Sequence, residues 1–441
     1  IAKLVETPYD LEKAPLFTVR LFRLSPQEHG LLFQAHHLIW DGWSFDLLYT
    51  DLPELYAACL EGRQPRLPAL TVSYGDFAAW HNAWMAGPEL QRQLGYWRTQ
   101  LTPLPPALDL PLDHPRPPVM SGRGGSVHFD LPKDVSDALR TQARKQGRTL
   151  YVTLLAAFAL ALHRFSKQGD FVIGTPVRGR EQPGLEHLMG FFVNMLPLRM
   201  QPADDMALPT WLDTVHNRVV EAFSCPDVPF DHLVQAMQVP RSRSRSPIYQ
   251  VSFSYQDVRE RNTRWGNLAH QRMQTPMPGA AQDLALWCVE TPEHIEFVFT
   301  FNADVLEART VSAFGLALER LLRDIVADPD RALSRYAFDP ALPSSSPSSS
   351  PDTTTSAAHA SSEPTGSMAD VIAEVWRELL GAESIGPDDD FFDRGGHSLL
   401  VMRAVTLIRK RTGRQVSVHA IFDNPTPRRL ARALGDDGHL P

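Results

Sequence analysis

Residues Pro343 to Ser367 constrain this chain more than any other stretch. They form a run of Ser, Pro, Thr and Ala with almost no large apolar residue. Such a segment cannot bury enough surface to offset the entropy of ordering itself, so a disordered, mobile linker and a domain boundary are expected there. No single core can run through all 441 residues; the chain must fold as a large unit, 1–342, and a small one, 368–437. That length leaves room for two or three domains, and an apolar fraction of 43% is ample for real cores.

The net charge of −8 and pI near 6.1 argue against a nucleic-acid partner, for which a basic excess is the electrostatic footprint. The local exception, Arg241-Ser-Arg-Ser-Arg-Ser246, has no interleaved aromatics and reads as a solvated loop. Cys59, Cys225 and Cys288 are odd in number and far apart, which fits neither a disulfide framework nor a zinc site, so no metal and a reducing cytoplasm are expected. The longest apolar stretch, Leu150 to Leu162, is too short to span a bilayer and reads as a buried helix, so no membrane partner is expected. The chain starts at Ile1 in mid-domain style, which leaves targeting information upstream open.

Within the large unit, attention falls on Gln34-Ala35-His36-His37-Leu38-Ile39-Trp40-Asp41-Gly42-Trp43-Ser44. The apolar run Leu31-Leu32-Phe33 before it reads as a strand, and Phe45, Leu47, Leu48, Leu52 and Leu55 after it fall at helical spacing. The histidines are therefore expected to close a strand. Successive side chains on a strand face opposite ways, so His36 and His37 cannot share a cavity; one is expected to be catalytic and the other structural. Residues 16–24 alternate as a half-buried strand would, and Ser25 to Gly30 supplies the turn of a hairpin. Ser44 is expected to cap the following helix, which Pro53 should kink or split.

His-His-x-x-x-Asp-Gly resembles the core motif of the condensation domains of nonribosomal peptide synthetases and, more widely, of chloramphenicol-acetyltransferase-like acyltransferases. The resemblance implies a two-lobed α/β (α+β) fold in which His37 faces an acyl-transfer tunnel and His36 is structural. It also implies that Asp41 holds the loop through an ion pair with an arginine; that partner is expected in the absent N-terminal part of the lobe. Only 35 residues precede the motif, so much of that lobe is expected to be missing. Gly42 is expected to permit backbone geometry that a side chain would obstruct, with Trp43 and Ser44 as tunnel or supporting residues.

Further matches follow in order. Tyr74-Gly-Asp-Phe-Ala-Ala-Trp80 resembles the family's Tyr-x-Asp-Phe-Ala-x-Trp motif on an amphipathic helix, its aromatics read as packing. The Pro-rich segment 104–118 cannot be helix interior and suits the crossing between lobes. Gly122, Gly124 and Gly125 lack the Lys and Ser/Thr of a P-loop and read as a turn before a strand at 126–131. Helices are expected at about 134–147, 151–166 and 308–327, with strands at 171–174, 248–256, 282–290 and 294–302. Met189 to Arg199 is similar to the family's Gly-x-Phe-Val-Asn-Thr motif, which makes Gly190 and Asn194 candidate supporting residues. Asp227-Val-Pro-Phe-Asp231 and Arg245 to Val251 match later elements loosely.

The small unit opens with a helix carrying Val371, Ile372, Val375, Trp376 and Leu379, then runs through Asp388 to Leu400. The latter resembles the attachment signature of peptidyl carrier proteins, a small all-α four-helix fold, and implies 4′-phosphopantetheine on Ser398. Gly395-Gly396 permits a sharp turn, and a helix start at Ser398 offers free N–H groups and a dipole that favour a phosphodiester. A plain Ser N-cap is the structural alternative.

An α-amine has a pKa of about 7.7–8.0 and a free imidazole about 6.5, so His37 is suited to take the proton an amine loses on attacking a thioester. Stabilising the tetrahedral intermediate is the other role open to it. The resemblance implies an upstream donor carrier and a phosphopantetheinyl transferase; no adenylation domain intervenes, so either an adenylation domain acting in trans charges the carrier or this chain is an excised or fused piece. The product would be an amide or an ester. Residues 39–45 resemble condensation domains that follow polyketide modules. Rivals are a free coenzyme A acyltransferase, disfavoured by the fused carrier, and a non-catalytic recruitment domain of the same fold, disfavoured by the intact motif. An aspartate motif for heterocyclisation is absent, and an epimerase would follow its carrier.

Overall fold

The computed structural model describes residues 7–256, 264–270, 273, 279–291 and 293–340. Within 368–435 it describes all but 381, 383, 392–393, 395–403, 405–406, 409–410, 413, 415, 417–419 and 422–423. The segment 343–367, Gly395-Gly396 and Ser398 lie outside the described residues. The chain divides into two units, 1–346 and 347–441.

In the first unit, β1 (Phe17–Ser25) and β2 (Glu28–Ala35) pair antiparallel as the expected hairpin, with Phe17 opposite Ala35. The strand ends two residues earlier than its sequence suggests. His36 still donates its N–H to the Leu16 carbonyl at 2.9 Å, but Ile39 N–H then returns to the His36 carbonyl at 3.1 Å and the chain turns. The two histidines therefore sit at a strand end and in a turn, where strand alternation no longer dictates which way they face.

Helix α1 (Gly42–Glu61) begins one turn earlier than expected. Its cap is Asp41, whose side chain accepts from the Ser44 N–H; Ser44 lies inside the first turn, already within the helix. The helix also runs through Pro53 without division, and proline's missing N–H costs it one i to i−4 hydrogen bond. Gly62, at φ +65°, closes its C-terminus with the left-handed geometry that glycine tolerates. A Cβ at Gly42 would meet nothing within 4 Å, and no positive φ is required there, so the expected steric need for that glycine is not met.

Helix α2 (Tyr74–Met85) starts with a capping box in which Ser73 and Asp76 satisfy each other's backbone N–H groups. Helix α3 (Pro88–Leu101) follows, and the Pro-rich segment then crosses without helix to β3 (Gly124–Leu131). Helices α4 (Lys133–Lys145) and α5 (Leu150–Ser166) come next. Every residue of α5 from Val152 to Leu162 is buried, which explains an apolar run with no polar face: it is the central helix of the core.

Strands β4 (Phe171–Val177) and β5 (Asn194–Met200) lead through α6 (Leu208–Phe223) and α7 (Phe230–Ala236) to β6 (Val251–Gln256). The short ribbon β7 (Arg264–Trp265) and β8 (Leu268–Ala269) precedes β9 (Leu284–Glu290), β10 (Ile295–Asn302) and α8 (Ala308–Ala327). The main sheet has the order β3-β10-β9-β6-β4-β5. Its β4/β6 and β6/β9 pairs are parallel and the rest antiparallel, a mixed pattern that requires α/β crossovers. Helices α5 and α8 pack on each other, and Phe314 of α8 lies edge-on to Phe299 of β10 with ring centroids 5.8 Å apart. Gly315 brings α8 close to β3: a Cβ there would lie 2.4 Å from the Phe129 ring.

The second unit, described by itself, is helical. In α9 (Met368–Leu380) Met368, Val371, Ile372, Val375 and Trp376 are buried. Helix α10 (Pro427–Ala433) is capped by Thr426, and Leu430 and Ala431 complete the same cluster. Phe391 is fully buried against Trp376, ring centroids 4.9 Å apart, and donates its N–H to the Pro425 carbonyl at 2.8 Å.

Candidate active site

The site is assembled where the N-terminus of α1 meets the 178–194 segment between β4 and β5. Asp41 is its anchor. Its Oδ1 accepts from Ser44 N–H at 3.0 Å, Ser44 Oγ at 2.9 Å and Arg180 Nη2 at 3.0 Å. Its Oδ2 accepts from Arg180 Nη1 at 2.7 Å and Phe192 N–H at 3.1 Å. The two side chains are 1% and 4% exposed, a buried bidentate ion pair. Burial pushes the Asp41 carboxyl up, but the hydrogen bonds and charge of Arg180, with the Ser44 and Phe192 N–H groups, outweigh it and hold the pKa below the usual carboxylate range.

The arginine partner expected in the N-terminal part of the lobe is thus Arg180, 139 positions further along the chain. Gly179, at φ +65°, turns the backbone so that this guanidinium points back, and a Cβ there would lie 2.1 Å from the Phe192 carbonyl oxygen. Arg180 also donates to the Leu188 carbonyl and lies over the Phe192 ring, 4.2 Å from its centroid.

Ser44 bridges the same two segments. Its hydroxyl accepts from Gly190 N–H at 2.9 Å and lies 3.1 Å from the Gly190 carbonyl, the geometry of a donor shared with Asp41. Gly190 is required by close packing, since a Cβ would come within 2.7 Å of the Tyr74 ring and 2.8 Å of the Phe192 ring. Trp43 donates its indole N–H to the Glu186 carbonyl at 2.9 Å, and the Arg178 guanidinium lies 4.6 Å from its ring centroid. Asn194 is saturated: its amide donates to the Pro226 and Val228 carbonyls, and its oxygen accepts from the Met195 and Phe230 N–H groups. It ties β5 to the start of α7.

The two histidines differ in their commitments. His36 Nδ1 accepts the Leu38 N–H at 3.1 Å, so that ring helps close the turn, and it lies edge-on to Tyr9. His37 is exposed, and among the described residues no hydrogen bond engages its ring nitrogens. Its neighbour is Phe191, ring centroids 5.1 Å apart and nearly perpendicular. Phe191 is held in turn by Tyr74, whose hydroxyl donates to the Phe191 carbonyl at 2.7 Å. Arg178, Arg180 and Phe191 were not legible as site residues. The available signal was the pair of arginines flanking Gly179, which sequence alone cannot connect to Asp41.

Among the described residues no group of His, Cys, Asp and Glu side chains is arranged to hold a metal ion, and no single helix is long and apolar enough to cross a membrane.

Known proteins place this geometry. The condensation-domain family model matches residues 1–341, and the phosphopantetheine attachment site model matches 370–434. The chain is 36% identical over 325 residues to phosphinothricin tripeptide synthetase PhsC of Streptomyces viridochromogenes, covering 74% of this chain and 30% of that protein. It is 33% identical over 329 residues to gramicidin S synthase 2 of Brevibacillus brevis, covering 74% of this chain and 7% of that one. The chain therefore spans less than a third of the length of either. Among solved structures, the complex of the X-domain and OxyB from teicoplanin biosynthesis superposes with a TM-score of 0.68 at 27% identity, over 76% of each chain.

The attachment match means a covalent 4′-phosphopantetheine, whose linkage requires a hydroxyl. Ser398, which lies outside the described residues, carries one in the sequence. Over residues 1–341 this chain belongs to the condensation-domain family of nonribosomal peptide synthetases, with a phosphopantetheine-bearing carrier domain behind it over 370–434.

Proposed function

We propose that the chain forms an amide, or with an alcohol an ester, between an acyl group held as a thioester on an upstream carrier and a nucleophile held on a carrier, with His37 at the reacting centre. The observation that carries this is the contrast between the two histidines: His36 has a ring nitrogen tied into its turn, whereas both His37 nitrogens are free among the described residues. Phosphopantetheine on Ser398 would supply the thiol that tethers the reacting group.

The chain's own residues then act as follows. Asp41, Arg180 and Ser44 lock the turn, so the imidazole is presented without reorganisation when the amine arrives. His37 takes the proton from the amine as the new N–C bond forms and the thioester C–S bond breaks, and that proton leaves with the thiol. Asp41 takes no part in proton transfer, because its oxygens already accept five hydrogen bonds. A phosphopantetheinyl transferase would load the carrier, and an adenylation domain acting in trans would charge it.

General-base catalysis contributes about 10²- to 10⁴-fold, so His37→Ala should slow single-turnover transfer between loaded carriers at least a hundredfold with the melting curve unchanged. A loss of under tenfold would remove His37 from the chemistry. That outcome would favour a second reading, a docking domain, which the likeness to an X-domain solved in complex with OxyB supports.

A further inference from the structure

We infer that Phe191 determines acceptor specificity: its ring bounds the space beside His37 that the α-substituent of the incoming amine must occupy, and it holds the imidazole in one orientation. The inference rests on the reading of His37 as the residue that meets that amine.

The segment around Phe191 is tied down on both sides. Gly190 is clasped by the Ser44 hydroxyl at its N–H and carbonyl. Phe192 is 6% exposed and packs on Tyr74 and Phe77, with its N–H on Asp41. The Phe191 carbonyl accepts the Tyr74 hydroxyl. The backbone is therefore fixed while the Phe191 side chain, 38% exposed, turns out of the core and stands edge to face with His37.

The geometry sets what the ring can touch. An amine giving its proton to His37 sits at hydrogen-bond distance, about 3 Å, from a ring nitrogen, and its α-carbon is one bond further. A phenyl ring whose centroid is 5.1 Å from that of the imidazole then lies within van der Waals reach of any α-substituent larger than hydrogen or methyl. The surface offered is apolar and rigid in backbone, so it discriminates by size.

Apolar pockets discriminate by about 10- to 200-fold per methylene, which sets the scale of the test. The full chain would be loaded with glycine, alanine or leucine from the aminoacyl-coenzyme A by a broad-specificity phosphopantetheinyl transferase. Single-turnover transfer from hexanoyl-N-acetylcysteamine would then be followed by mass spectrometry, normalised to loaded carrier. Phe191→Ala should raise the leucyl-to-alanyl rate ratio about tenfold, and Phe191→Trp should lower it. The ratio is internal to each variant, so a partly unfolded preparation scales every acceptor alike and leaves it unmoved. Ratios within twofold of the parent chain in both variants, while His37→Ala abolishes transfer, would overturn the role of Phe191 and leave the function standing. Undiminished transfer by His37→Ala would overturn both.

Discussion

Asp41 shows how much of a site can depend on one carboxylate. It caps α1, pairs with Arg180 and receives the Phe192 N–H, so its removal strips a helix cap and strands a buried guanidinium. Breaking a buried pair by deleting one partner costs about 3–5 kcal/mol, and Asp41→Ala should lose that much stability in denaturant unfolding. The pH dependence has a definite sign. The folded-state pKa lies below the unfolded value of about 3.9, so the carboxylate's contribution is complete above that value and is lost as pH falls through the folded one. The melting-temperature gap between the parent chain and Asp41→Asn should therefore be wide at neutral pH and narrow below about pH 4. A gap independent of pH would mean that the ion pair does not stabilise the fold.

At the scale of elements, α1 is the lever that carries the motif, and its two neighbouring glycine sites make opposite predictions. Gly42 occupies the first helical position with open space around it, so Gly42→Ala should stabilise by about 0.4–1 kcal/mol through the unfolded chain. Gly190 has Tyr74 and Phe192 against it, so Gly190→Ala should destabilise by about 1–3 kcal/mol as those rings are pushed aside. Both are measurable by thermal or urea unfolding of the full chain. Destabilisation by Gly42→Ala would reveal a backbone constraint that the helix start does not show.

At the scale of the whole molecule, we propose from the Ser, Pro, Thr and Ala run of 343–367 that this segment sets how far the carrier can travel. Its 25 residues predict a root-mean-square span of about 25–30 Å as a flexible coil. If reach is its function, a Gly-Ser sequence of equal length should preserve in-cis transfer. A five-residue version, at most about 18 Å extended, should slow it steeply while a carrier added in trans still reacts. Equal in-cis rates for short and full-length linkers would mean that reach plays no part.

Local pattern was enough for most elements. The hairpin follows from period-two alternation over 16–24, the helix at 308–327 from apolar spacing, and the buried helix α5 from an apolar run with no polar face. These are properties of neighbouring residues, and sequence carries them in full. The double histidine and the Asp-Gly after it were legible as a motif, yet their geometry was not. The strand stops at Ala35 and the helix runs on through Pro53, and Asp41 rather than Ser44 caps α1, with the Ser44 hydroxyl engaged by Gly190 and Asp41 joined to Arg180 and Phe192 of the 178–194 segment. The pairing of Asp41 with Arg180 and of His37 with Phe191 spans well over a hundred positions. No periodicity reaches that far; only the packing of the segment that links β4 to β5 against the start of α1 brings those side chains together, and with them the site.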